Sequence, residues 1–125
     1  MQQVPDMLKK KISKLIDMIR SMKGVTACAL VSRDGIVAGK YFDRDLSEPW
    51  FGALLATILS SAESLGGIIR MKSLESIAIR ARETSVMVVD AGENFLIAPI
   101  INDRTNPLNV QRQILAFVKT IGESM

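Results

Sequence analysis

Ser47-Glu48-Pro49-Trp50-Phe51-Gly52-Ala53-Leu54-Leu55-Ala56-Thr57-Ile58-Leu59-Ser60-Ser61-Ala62-Glu63-Ser64-Leu65 is the stretch on which the fold turns. No charge interrupts it between Glu48 and Glu63, and at about 100° per residue it divides into two unlike faces. Phe51, Leu54, Leu55, Ile58, Ala62 and Leu65 form a large stripe, read as packing on the chain's own sheet. Ala53, Ala56, Thr57, Ser60 and Ser64 gather opposite it. A lone surface helix would carry Lys or Glu there. A small, uncharged stripe lets a second backbone approach closely, and the simplest second helix is a copy of the first. These five residues are therefore the expected helix-side contacts of a homodimer. Trp50, the single Trp, stands in the first turn off the large stripe and is the candidate partner anchor, weighed against ordinary packing on a neighbouring loop.

Outward from this helix the punctuation is regular. Ser47 is read as its cap and Gly66-Gly67 as its stop. Upstream, Val4-Pro5-Asp6 opens a helix whose Leu8, Ile12, Leu15, Ile16, Ile19 and Met22 recur at helical spacing until Gly24. Val25 to Val31 and Ile36 to Phe42 flank Ser32-Arg33-Asp34-Gly35, where Asp-Gly signals an antiparallel hairpin. Downstream, Leu74 to Arg80, Ser85 to Asp90 and Phe95 to Ile101 form a meander, turning at Arg82-Glu83-Thr84 and Ala91-Gly92-Glu93-Asn94. Asn106 caps and Pro107 opens a last helix with Val110, Ile114, Phe117, Val118 and Ile121 on one face. The order α-β-β-α-β-β-β-α, with strands apolar on both faces, predicts an α/β sandwich: a five-stranded antiparallel sheet with helices on both sides.

Composition bounds the function. At 125 residues, 48% of them apolar, the chain is read as one domain, 1–125, with a single core. The longest apolar run, Trp50 to Ala62, is read as too short to span a bilayer, and the N-terminus does not read as a signal peptide, so the expected location is cytoplasmic. Residues 1–23 hold six bases and two acids, which places the whole basic excess on the first helix. Such a stripe can meet nucleic acid, anionic lipid or an acidic protein, or merely be solvated. With only 5% aromatic residues, the chain lacks the stacking surface of a single-strand binder, so no nucleic-acid partner is expected.

No catalytic set emerges. The absence of His removes histidine triads and His-ligated metals, so no metal and no cofactor are expected. The lone Cys28 sits in an apolar run and reads as buried and inert. Gly35-Ile36-Val37-Ala38-Gly39-Lys40-Tyr41 falls one residue short of a phosphate loop, puts Tyr41 where Ser or Thr would hold magnesium, and reads as strand. Asp43, Asp45 and Glu48 read as a solvated loop favouring a helix N-terminus rather than a cation site or acid/base pair, and Arg80 and Arg82 read equally well as a charge donor to a phosphate or as a solvent-facing strand end.

Gly24 through Val37, the run Ile77-Ala78-Ile79-Arg80 to Val86-Met87-Val88-Val89, and the Ala-rich helix Phe51 to Leu65 together resemble the roadblock family, small profilin-like domains related to dynein light chains and to bacterial and archaeal regulators of Ras-like GTPases. The resemblance implies a dimer that sets two middle helices side by side and pairs the third strands, here with Glu75, Ile77 and Ile79 at the contact. It also implies a non-enzymatic regulator or scaffold that binds a Ras-like small GTPase and modulates its hydrolysis. Two other classes stay open: a small-molecule sensor, and a membrane-surface adaptor using the basic first helix.

Overall fold

The computed structural model describes residues 6–92 and 94–123; Val4, Pro5 and Glu93, used in reading the first helix and the last hairpin, lie outside the described residues. The elements are α1 (Asp6–Arg20), β1 (Val25–Ser32), β2 (Val37–Tyr41), α2 (Glu48–Ile68), β3 (Ser76–Arg80), β4 (Thr84–Asp90), β5 (Phe95–Asn102) and α3 (Pro107–Glu123). Their order is the one read from the sequence. All strand pairs are antiparallel, in the spatial order β2-β1-β5-β4-β3.

Alternation along the strands splits the core in two. Cys28, Leu30, Met87, Val89, Ile97 and Ile101 face α1 and α3, where they meet Ile12, Ile16, Ile19, Val110 and Ile114. Ala29, Val31, Val88, Leu96 and Ala98 face the other way and meet α2 through Leu55 and Leu59. The central strands must be apolar on both sides because both sides are covered. Each such aliphatic side chain contributes about 1.5–3 kcal/mol when fully buried. Cys28 is fully buried, and burial pushes its thiol up to about 11, so the nucleophilic thiolate is suppressed.

The caps hold in part. Asn106 Oδ1 accepts the Leu108 amide at 2.9 Å, as a helix cap should. Ser47 occupies the α2 cap position with extended backbone, but its side chain makes no capping bond; Glu48 in the first turn instead pairs with Lys40 of β2. Gly66 and Gly67 do not end α2, which runs through them to Ile68. The left-handed residue that reverses the chain is Arg70, at φ 59°, with the Met71 amide donating to the Gly66 carbonyl at 2.8 Å. β3 begins at Ser76, two residues after the expected start.

The large stripe of α2 also needs correcting. Leu55 and Leu59 are the buried leucines, whereas Leu54 and Leu65 are exposed. The helix is rotated by a backbone contact that a reading of apolar side chains does not weigh. Gly35, at φ 91° in the β1–β2 turn, lies so close to α2 that a Cβ on Gly52 would collide with the Gly35 carbonyl oxygen. Only a glycine pair permits that approach.

This contact predicts opposite effects for one substitution at two helix glycines. Gly67 has open space where a Cβ would go, so Gly67→Ala should raise stability by up to about 1 kcal/mol through helix propensity. Gly52→Ala should lower it by about 1–3 kcal/mol, because the obstacle is backbone. Thermal or urea unfolding of the two variants checks this, and a stabilised Gly52→Ala would contradict it.

Candidate functional site

α2 alone covers its side of the sheet, and it is covered on one side only. By length and composition it is apolar enough to cross a membrane, which corrects the expectation of too short a run, yet only 22% of its apolar window is buried. Its outward side is the small stripe: Ala53, Thr57, Ser60 and Ser64 are exposed, while Ala56 is half-buried on the flank. The Thr57 hydroxyl donates to the Ala53 carbonyl at 2.9 Å, so the helix satisfies it internally.

Large apolar residues bracket this stripe. Trp50, 70% exposed, stands in its first turn, and Ile68, 80% exposed, in its last. Helical geometry puts both on the azimuth of Thr57 and Ser64. Leu54 and Leu65 run along one shoulder, and Ile69 and Met71 continue the exposed apolar surface beyond the helix end. A patch of this kind on a folded chain marks an interaction surface. Trp50 is therefore free of the loop packing weighed against it, and Leu54, Leu65 and Ile68 join it as surface residues that the sequence reading missed. Pairing Leu55 with Leu59 at i, i+4 would have found the rotation.

β3 extends the surface as an edge strand, paired only with β4. Ile77 is half-buried against the α2-side core, and Ile79, 45% exposed, follows it on the same side. Glu75 is exposed just ahead of them. It precedes β3, and its carboxylate accepts from Gln111 Nε2 of α3 at 3.3 Å, while Ser76 donates to Gln111 Oε1 at 2.6 Å.

Ion pairs hold the frame around this surface. Arg33 in the β1–β2 turn reaches Asp90 at 2.9 Å, the Gly92 carbonyl at 2.9 Å and Glu63 of α2 at 3.7 Å, tying both hairpin ends to the helix. The acidic cluster is absorbed in pairs: Arg44 bonds Asp43 and holds its carboxyl below the usual range, and Glu48 meets Lys40. Among the described residues no group of His, Cys, Asp and Glu could hold a metal ion.

Residues 11–100 match the Roadblock/LC7 domain family. An uncharacterized protein of Methanocaldococcus jannaschii, MJ0714, is 24% identical over 91 residues, 73% of this chain and 77% of that protein. Gliding protein MglB from Thermus thermophilus superposes with a TM-score of 0.80 at 13% identity, covering 98% of this chain and 96% of that one. Myxococcus xanthus MglB gives 0.78 at 14% identity, covering 99% and 95%. At such identities the superpositions speak for the fold, which is the five-stranded sandwich described above. With the family match spanning α1 through β5, the chain belongs to the Roadblock/LC7 domain family.

Proposed function

We propose that the chain works as a homodimer, made by laying two copies of α2 antiparallel across their small faces and joining two β3 edges, and that this dimer is a non-enzymatic platform for a Ras-like small GTPase. The observation that carries the reading is the layout of α2: short residues along the middle of the outward side, with Trp50 at one end and Ile68 at the other. That layout is self-complementary under a two-fold axis. Antiparallel copies bring Trp50 of each toward Ile68 of the other, and the Ala, Ser and Thr between them allow backbones to approach as in close helix pairs. Lipid would suit the same face poorly, because Ser60, Ser61 and Ser64 lie on the outward side of the helix. Ile77 and Ile79 would continue the contact along the sheet, and a stable interface of about 1,600 Å² is within reach of a helix and a strand together.

Family membership supports the GTPase as partner, and the chemistry of the chain supports a role without catalysis of its own. Cys28 is buried with its thiolate suppressed, Asp43 and Glu48 beside α2 are held in ion pairs, and among the described residues no group of His, Cys, Asp and Glu could hold a metal ion. An effect on hydrolysis would act through the GTPase's own groups. A platform reads the nucleotide only through differential affinity for the two states.

Two measurements test this. Light scattering should give a two-chain mass at micromolar concentration, and Ser60→Arg, which puts like charges across a desolvated two-fold contact, should give monomer or aggregate; a one-chain mass for the unmutated protein would remove the dimer. Titration with Ras-like GTPases of the same genome should show about tenfold tighter binding of the triphosphate form, worth about 1.4 kcal/mol. Equal affinity for both nucleotide states would leave a constitutive scaffold, and no binding at all would defeat the assignment.

A further inference from the structure

Opposite the proposed dimer face, α1 and α3 lie on the same side of the sheet and, beside the β4–β5 turn, border a half-open apolar cavity of about 280 Å³. Leu8 and Leu15 of α1, Leu30 of β1, Phe95 of β5 and Val118 of α3 are among its walls. Of the nine lining residues, Lys11 alone is charged. It is half-buried, and it makes no ion pair among the described residues.

We propose that this cavity binds a single-chain amphiphile with an anionic head, of the medium-chain carboxylate class. The walls favour an apolar occupant: apart from Lys11, their aliphatic and aromatic side chains offer water no hydrogen-bond partner. Apolar surface in such a half-open space meets water, and an apolar guest removes it from water. At about 30 Å³ for each water-sized group, the space takes on the order of nine such groups, the tail of a chain of roughly ten carbons. Lys11 fixes the sign of the head. Its ammonium forms a charge-assisted bond with a carboxylate, and Lys10 and Lys14 on neighbouring exposed positions of α1 raise the local positive potential. The site stands apart from the α2–β3 surface, so a ligand here could be carried while the platform is engaged.

Decanoate below its micelle concentration is the probe, read by the methyl resonances of Leu30 and Val118. One decanoate per chain should shift them saturably. Lys11→Glu, with its fold checked by circular dichroism, should weaken binding by about tenfold, the weight of one charge-assisted bond. Ala91→Phe, which places a ring at another lining position, should abolish binding, and decyltrimethylammonium should fail to bind. Absence of a saturable shift, equal affinity for the anionic and cationic amphiphiles, or unchanged binding by Lys11→Glu would each overturn the proposal. So would binding to anionic vesicles with none to decanoate, which would assign lipid contact to the basic face of α1 and leave the cavity without a ligand.

Discussion

The backbone contact between Gly52 and Gly35 sets the rotation of α2, and the rest of the interaction surface depends on that rotation. With Gly52 against the turn and Leu55 and Leu59 in the core, helical geometry leaves no choice about what faces outward: Trp50, Ala53, Thr57, Ser60, Ser64 and Ile68. A side chain at either glycine would push the helix away from the β1–β2 turn and loosen the same two leucines. The left-handed backbone at Gly35, the turn it serves and the face that α2 presents are thus one constraint expressed at three levels.

The two faces of the sheet are unequally covered, and function follows from the inequality. α1 and α3 together bury Ile12, Ile16, Ile19, Val110 and Ile114 over one side, whereas α2 alone serves the other. α2 packs chiefly toward β1 and β2, at the other end of the sheet from β3, so Ile77 and Ile79 on that edge strand retain exposure. An edge with apolar residues beside a helix face of small residues is costly to leave in water and prone to indiscriminate pairing. A defined two-fold partner resolves both problems. The other side, in contrast, carries a half-open apolar cavity between α1, α3 and the sheet, with one ammonium in its lining.

Much of this was legible in the sequence, because most of the fold rests on periodicity and punctuation. The helical spacing of Ile12, Ile16 and Ile19, the Asp34-Gly35 turn and the Asn106-Pro107 start each state their geometry locally. The small stripe of α2 was legible too, since the absence of charge from a helix face is itself a signal. What escaped depended on long-range backbone geometry. Leu54 and Leu65 are as hydrophobic as Leu55 and Leu59, and only the Gly52–Gly35 contact decides which pair is buried. Gly66 and Gly67 look like a stop but are carried inside the helix, with the reversal made at Arg70. The bond from Gln111, 36 residues away, to the Glu75 carboxylate is likewise stated by no local pattern. The cavity was invisible, because the space between two helices is not written in either of them.

The central claim is that β3 and α2 meet a second copy of the chain, and amide hydrogen exchange along Ser76–Arg80 tests it most directly. In a lone chain the amides of an edge strand that point away from its neighbour have no partner and exchange quickly. If the edges pair, these amides should be protected at high protein concentration and lose protection on dilution, together with the outward face of α2. Outward β3 amides that exchange at the unprotected rate at every concentration would contradict the account.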